Sequence, residues 1–418
     1  SMTDAPSPMD SRFVSLDVVR GIAVMGILLM NIVAFSMPQA AYFTPIAYGG
    51  TTPPDIAAWA TNFIFSDGKM RGLFSVLFGA SMLLVIQRAE AKDENPALTH
   101  YSRMSWLLLF GALHAYAIWF GDILMLYAVI GSIAFFFRTM ETHKLVVLGL
   151  ILIVTQAILL GLVAGSIWMM REAALGPDAD AELITQWQEF AGQFGAIPPD
   201  KLAETMAIHR GDYMGLLAHR LGPAFWDPIV GNLTASVETL GLMLLGMAGL
   251  KSGFLTGQWE RADYARCAKI GYLIGLPLLT ILAFVIIRSG FEPVTLFALD
   301  FAGQTLINPA VVLAHAALVL YWVQSSAGSA LMARVAATGR AAFTNYLGTS
   351  IICTTIFYGY GFGLYGELSR ASIYIVVPII WALMLLWSKF WLDRFRYGPL
   401  EWLWRSLARR ELQPIRKK

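Results

Sequence analysis

The sequence predicts an all-α, polytopic membrane protein of about ten transmembrane helices with both termini in the cytoplasm, and three observations carry that reading. Of its 418 residues 57% are hydrophobic and only 14% charged, with a mean hydropathy of +0.61; so few charges cannot cover a water-soluble surface. A bilayer core about 30 Å thick takes roughly 20 apolar residues per helix. Runs of that kind fall near 13–36, 70–87, 103–120, 123–138, 144–168, 229–251, 266–288, 302–324, 341–361 and 372–392. Lys and Arg then gather on alternate connections, which sets orientation by the positive-inside rule.

The elements follow in order. Residues 1–11 are polar and Pro-containing, and Ser1 and Met2 look like a cloning scar. The first apolar run is too long for a signal peptide and is followed by many more. The five runs between 12 and 168 form an N-terminal half, and the five between 228 and 393 form a C-terminal half. The second and fourth runs are short enough to be tilted, joined or partly re-entrant. Arg12, Arg88, Lys92, Arg103, Arg138, Lys144, Lys251, Arg261, Arg266, Lys269, Arg334, Arg340 and the basic tail share one side. The longest opposite connection, about 169–227, holds nine acids, including Asp178, Asp180, Glu182, Asp212 and Asp227. Within it, AELITQWQEFAGQF and DKLAETMAIHRGDYMGLL have helical periodicity on either side of Pro198 and Pro199, so two amphipathic helices are expected there. They serve either as a lid or as spacers between the halves. After the last run, residues 394–418 make a basic interfacial tail in which GPLEWLWRSL reads as an amphipathic element on the inner leaflet. The whole is expected to be a multi-pass membrane protein.

Several classes of function fall away. Cys267 and Cys353 give neither a disulfide framework nor a zinc site, and no metal-ligand spacing, phosphate loop or nucleophile elbow is present. The net charge of +2 sits in short clusters between apolar runs, which is topology and not nucleic-acid binding. Trp119, Trp168, Trp226, Trp402 and Trp404 fall at helix ends, where interfacial belts account for them without a cofactor. Expected partners are membrane lipids and a small-molecule or lipid-linked substrate. The Gly241, Gly246, Gly249 stripe serves either internal packing or a homodimer.

Charged or strongly polar groups inside apolar runs cost roughly 2.5 to 3.5 kcal/mol each on insertion scales and are functional candidates by default. Asp17 and Arg20 lie three apart in LDVVRG and neutralise each other on one face. Asn31 is eleven residues beyond Arg20, on the same face and about 16 Å along the axis, so one helix offers a cation at one end and an amide at the other. His114 lies deep in LLLFGALHAYAIWFGDILMLYA with Asp122 after it. An imidazole of pKa near 6.5 exchanges protons at cellular pH, and a carboxylate can hold its tautomer. Eight residues in one straight helix do not bring the two together, so either the turn at Gly121 folds Asp122 back or another acid serves His114. Glu238 and His315 fall at a depth like that of His114, as a proton relay or as unrelated interhelical partners. TGRAAFTNYLGTSI supplies Arg340, Asn345 and Tyr346, with Thr349 and Ser350 one turn on, at a depth near Arg20. Two guanidiniums there suit an anionic group, and positive-inside anchoring is the plainer reading. Lys69 and Arg71 are basic residues on the side that the rule leaves poor in them.

RFVSLDVVRGIAVMGILLMN, FSVLFGASMLL, LLLFGALHAYAIWFGDILMLYA, GRAAFTNYLGTSI and GPLEWLWRSL together resemble the YeiB family of bacterial inner-membrane proteins, whose C-terminal half is a domain of unknown function. The resemblance runs from about 12 to 407 and omits the long connection. It implies the fold. The family is grouped with integral-membrane acyltransferases of the heparan-alpha-glucosaminide N-acetyltransferase type, which share the LDxxRGxA start and a His or Asn eleven positions after its Arg. Here that position is Asn31, and no His follows between Ile32 and Lys69. By that resemblance His114 is the substitute base, with Glu238 or Asp122 orienting the acceptor, and Arg20 and Arg340 hold the phosphates of acyl-CoA, a co-substrate and not a resident cofactor. The resulting expectation is acyl transfer from cytoplasmic acyl-CoA to a periplasmic or lipid-linked acceptor. The alternative is a lipid or small-amphiphile binder or proton-coupled transporter, in which the same His and Glu titrate without covalent chemistry.

Overall fold

The computed structural model describes residues 8–326 and 328–418, with side chains from residue 14 apart from that gap. The polar start with its cloning scar falls on residues 1–11 and so lies largely outside the described residues, as does the side chain of Arg12. The chain is all-helical: among the described residues there is no strand, only an isolated bridge between Phe395 and Arg416. Among the described residues seven stretches are long and apolar enough to cross a membrane, which makes this a multi-pass membrane protein. The three other expected spans are shorter helices. The last of them, Ala342–Phe357, has 16 residues and so reaches about 24 Å.

Helix α1 (Pro8–Ser36) forms the centre, 72% of its apolar window being buried. A lead-in helix α2 (Pro53–Phe65) meets α3 (Lys69–Ala91) at a left-handed Gly68, so the short second run is one bent unit. Next come α4 (Pro96–Leu113), α5 (Leu124–Ala134) and α6 (Thr142–Ala174). The long connection folds as three helices and not two: α7 (Ala181–Gln193), α8 (Pro199–His209) and α9 (Tyr213–Leu221). The extra break falls at Gly211 and Asp212, where the Asp212 carboxylate accepts from Gly215 N at 2.8 Å and starts a new helix. The second half contains α10 (Asp227–Lys251), α11 (Arg261–Arg288), α12 (Gln304–Ser325), α13 (Ala330–Arg340), α14 (Ala342–Phe357) and α15 (Val376–Arg394), and α16 (Pro399–Arg409) closes the chain.

Burial sorts these helices into two shells. The apolar window of α10 is 67% buried, against 22% for α6 and 28% for α11. The outer helices turn Leu150, Val154, Ile158 and Leu162, or Leu273, Ile281 and Phe284, outward, as side chains facing lipid do. The inner helices touch through glycine. A Cβ on Gly246 would overlap Val76 O, and one on Gly79 would overlap Met243 O, so α3 and α10 cross backbone to backbone. Gly21 and Gly339 do the same for α1 and α13 against Val335 O and Asp17 O. Gly241 meets Gly149 O and Gly249 meets Leu255, so the glycine stripe of α10 serves packing within the chain. The tail helix α16 docks on the bundle: Trp404 donates to Arg103 O at 3.0 Å, and Glu401 accepts from Thr344 N at 2.8 Å and from Thr344 Oγ1 at 2.6 Å. Glu401 thereby satisfies the opening turn of α14.

Candidate functional site

His114 opens a π-helical turn, His114–Ile118, that ends α4. Such turns lie often at functional positions because the extra residue re-aims the side chains around it. Trp119 is then extended, with φ −159° and ψ 133°, and the chain reverses through Gly121. A side chain at Gly121 would run into the Trp119 ring. The reversal folds Asp122 back, and its Oδ1 lies 2.8 Å from His114 Nδ1. The separation of eight that rules out contact in a straight helix is thus overcome by the turn. Oδ2 of Asp122 accepts from Met125 N at 2.8 Å at the start of α5. On the other edge of the ring, His114 Nε2 lies 2.8 Å from Ser350 Oγ on α14. His114, Asp122 and Ser350 are 0%, 5% and 1% exposed. An ionised carboxylate only accepts, so Nδ1 carries the ring proton and Nε2 accepts from the serine hydroxyl.

Tyr346, one turn before Ser350, holds this arrangement. Its hydroxyl accepts from Ile123 N at 3.1 Å and donates to Gly121 O at 3.4 Å, while its ring stands edge-on to His114 at 5.2 Å. Trp119 packs on the other side, stacked on Phe35 at 3.9 Å and 6.3 Å from the His114 ring. It is 1% exposed. The sequence expectation that it joins an interfacial belt fails because the break turns it inward.

Two cavities approach this centre. The first, about 260 Å³, opens toward the end of the bundle that carries the basic loops and is lined by Arg20, Arg88, Arg103 and Arg340, with Tyr127 and Tyr346 among its other walls. Phe74, Leu77, Phe78, Met104 and Leu107 make its apolar sides. Arg20 donates to Asp17 at 3.0 Å and to Ser81 at 2.6 Å, which orients it. Arg88 and Arg103 were read from sequence as topology charges; the structure adds them to Arg20 and Arg340. Asn345 is engaged elsewhere, donating to Thr338 O at 3.1 Å and Ser388 Oγ at 3.0 Å and accepting from Trp387 at 2.9 Å. It ties α14 to α13 and α15. The second cavity, about 190 Å³, is lined by Asn31, Gln39, Tyr42, Arg71, Trp119 and Gly121, with Phe120 and Ile123 among its apolar walls. Tyr346 lines the first cavity, and its two partners Gly121 and Ile123 line the second.

Glu238 and His315 do not join His114. Glu238 lies 3.5 Å from Arg71 and its backbone N–H donates to Gln156 Oε1 at 3.3 Å, so it backs the second cavity from behind Arg71. His315 pairs with Tyr272 OH at 2.7 Å and Phe65 O at 2.9 Å, linking α12 to α11 and to the end of α2. Lys69, which departs from the charge rule, belongs to a charged cluster whose other members the sequence does not mark. Tyr42 donates to Asp67 at 2.8 Å, Gln304 donates to Asp300 at 2.8 Å, and Lys69 donates to Gln304 at 2.9 Å and to Phe63 O. Asp300 sits in a second π-helical turn, Ala298–Gly303.

Comparison with known proteins bears on the whole chain. Residues 250–411 match the family described as a protein of unknown function, DUF418. The uncharacterized protein YeiB of Escherichia coli (strain K12) is 33% identical, covering 96% of this chain and 98% of that one. The uncharacterized protein YxaH of Bacillus subtilis (strain 168) is 31% identical over 99% and 98%, respectively. An uncharacterized 39.9 kDa protein from the amylase 3' region of Bacillus acidopullulyticus is 22% identical over 98% and 97%. No solved structure matches.

Proposed function

The chain belongs to the YeiB family, and from that premise we propose that it transfers an acyl group from cytoplasmic acyl-CoA to a hydroxyl on an acceptor at the periplasmic side of a bacterial inner membrane. One observation carries the reading: a buried carboxylate–imidazole–hydroxyl chain, Asp122, His114 and Ser350, packs against Tyr346, which lines the four-arginine cavity, and beside Trp119, which lines the second polar cavity. Guanidinium groups recognise phosphate by forked hydrogen bonds, and the phosphates of CoA are the anions such a mouth would hold. The apolar walls below the arginines accommodate an uncharged thiol arm. His114 is the general base, and Asp122 holds its tautomer and stabilises the imidazolium formed when the base takes a proton. Asn31, Gln39, Tyr42 and Arg71 offer the hydrogen bonds a sugar or lipid-linked hydroxyl would need. The likeness of LDVVRGIA to the membrane acyltransferases supports the same donor, with His114 in place of the absent loop histidine.

The test is release of free CoA from acetyl-CoA by the purified protein in lipid nanodiscs, for the wild type, His114→Ala and Arg20→Ala. Turnover by the wild type, lost in His114→Ala and weakened at low donor concentration in Arg20→Ala, is expected. A wild type that neither binds acetyl-CoA nor releases CoA sinks the reading. A second reading, a proton-coupled carrier of a lipid or small amphiphile, is favoured by the charged cluster of Asp67, Lys69 and Asp300, which acyl transfer does not use. It predicts flux of an amphiphile into proteoliposomes driven by a pH gradient and abolished in Asp300→Asn.

A further inference from the structure

We propose that Ser350 is the nucleophile of a two-step reaction and carries the acyl group as a serine ester between the two cavities, with the Trp119 indole N–H as the donor that receives the carbonyl oxygen. This inference rests on the acyl-transfer reading and goes beyond it. In that reading His114 needs only a carboxylate on one nitrogen and the acceptor hydroxyl on the other. The structure instead gives Nε2 a hydroxyl of the protein's own, at 2.8 Å and 1% exposed, which is the arrangement that activates a serine. Tyr346, one turn away on the same face of α14, lines the arginine cavity, so Ser350 is one helical turn farther along that face.

The second observation is independent. Trp119 Nε1 is buried and has no hydrogen-bond partner among the described residues. A buried donor without an acceptor is costly, and such a group beside the ring of the base is what an oxyanion site requires. Trp119 also lines the second cavity, its ring 6.3 Å from that of His114.

The steps balance without any further reagent. Ser350 Oγ attacks the thioester carbonyl carbon while its proton passes to His114 Nε2, and the oxygen of the tetrahedral intermediate accepts from Trp119 Nε1. The carbon–sulfur bond breaks, the CoA sulfur takes the proton from Nε2, and free CoA leaves by the arginine cavity. The acceptor hydroxyl then gives its proton to Nε2 and attacks the ester carbonyl. The carbon–oxygen bond to Ser350 breaks, Ser350 regains the proton, and the acylated acceptor leaves by the second cavity. Donor and acceptor never have to meet, which suits two small cavities divided by the contacts of Tyr346 with Gly121 and Ile123.

The experiment incubates the full chain in nanodiscs with radiolabelled acetyl-CoA and no acceptor, denatures it, and reads label and intact mass. The wild type is expected to gain one acetyl group, mapped to Ser350, stable to neutral hydroxylamine and released by alkaline hydroxylamine as an oxygen ester is. Ser350→Ala should lose the adduct while still binding acetyl-CoA, and Ser350→Cys should regain it as a thioester cleaved by neutral hydroxylamine. Trp119→Phe, which keeps the ring on Phe35, should slow adduct formation on the order of 10²-fold with acetyl-CoA affinity unchanged. Label on His114 or on Cys267 or Cys353, or transfer by Ser350→Ala at the wild-type rate, overturns the serine intermediate and leaves direct transfer standing. Absence of acetyl-CoA binding in the wild type overturns the donor reading, and this proposal with it.

Discussion

Replacing Asp122 by Asn separates a catalytic role for the His114 pair from a structural one, because the hydrogen bonds decide the outcome. Asp122 accepts on both oxygens, from His114 Nδ1 at 2.8 Å and from Met125 N at 2.8 Å. An Asn that keeps its oxygen toward His114 would aim its amide at the Met125 N–H, donor against donor. The opposite rotamer gives its oxygen to Met125 N and its amide to Nδ1, and every group is satisfied once the ring proton moves to Nε2. That tautomer donates to Ser350 Oγ and can no longer take its proton. The fold therefore keeps its hydrogen bonds, and Asp122→Asn should cost less than about 1 kcal/mol of stability. CoA release at saturating acetyl-CoA should fall by on the order of 10⁴, about 5 kcal/mol in the barrier, as when the same tautomer is forced in serine hydrolases. Asp122→Ala strips two buried donors of their acceptor and should lose about 2 to 6 kcal/mol of stability as well. The assay pairs initial rates of CoA release with thermal unfolding in the same nanodiscs. If Asp122→Asn releases CoA within threefold of the wild type, the carboxylate sets no tautomer that matters and His114 is not the base.

Three further outcomes follow from particular contacts. Arg20→Ala or Arg340→Ala removes one charged donor from the arginine cavity, and each charge-assisted hydrogen bond is worth about 1.5 to 3 kcal/mol; KM for acetyl-CoA should rise about 10- to 100-fold with kcat at saturation little changed, and an unaltered KM would place the phosphates elsewhere. Gly246→Ala drives a methyl into Val76 O and should cost about 1 to 3 kcal/mol by overpacking, whereas Gly161→Ala, with nothing near its Cβ, should be neutral or stabilising in the same thermal-shift series. His209, in the long connection, has its imidazole pushed down to about 4 by burial, against a Tyr365 ring stacked at 4.6 Å. The unfolded segment then binds the extra proton between about pH 6.5 and 4, so the packing of α8 on the 358–365 loop is intact above 6.5 and loosens as pH falls through that window. Hydrogen exchange of residues 199–221 reads this, and a profile that His209→Gln leaves unchanged would refute it.

Legibility in the sequence followed the size of the physical signal. Twenty apolar residues in a row announce a membrane-spanning helix whatever surrounds them, which is why α1, α6, α10 and α11 are legible from hydropathy alone. The division of the long connection was harder, since Gly211 and Asp212 interrupt a periodicity that otherwise runs on, and only the capping contact of Asp212 with Gly215 makes the break. Arg88 and Arg103 fit the charge rule so well that a second use left no trace, whereas Arg20, inside an apolar run, stood out by its insertion cost. Ser350 is legible only as one more polar residue on the face one turn beyond Tyr346. A hydroxyl in an apolar helix is cheap because it can bond to its own backbone, so nothing in the sequence ties it to His114, and only the packing of α14 against the end of α4 makes that pair.

The two midmembrane histidines illustrate why depth alone could not find the site. His114 and His315 both lie deep in apolar runs and both have two ring partners, yet their partners differ in kind. His315 has a phenol and a backbone carbonyl. Neither is an anion at neutral pH, so a proton gained there would be held in an apolar surround with no counter-charge, and the ring remains a neutral tie between helices. His114 has a carboxylate on one nitrogen and a hydroxyl on the other, which means that the proton leaving the hydroxyl arrives on a ring whose positive charge already has its anion in place. The carboxylate is there because the chain stops being a helix. A π turn, an extended Trp119 and a reversal at Gly121 are each unfavourable to regular structure, and each is stabilised by something across the bundle: Phe35 against Trp119, and Tyr346 against Gly121 and Ile123. The irregular backbone within the bundle is buried against protein and lines a cavity, where its peptide groups find partners such as Tyr346, and it is this local departure from helix that converts two residues eight apart into a base and its counter-ion.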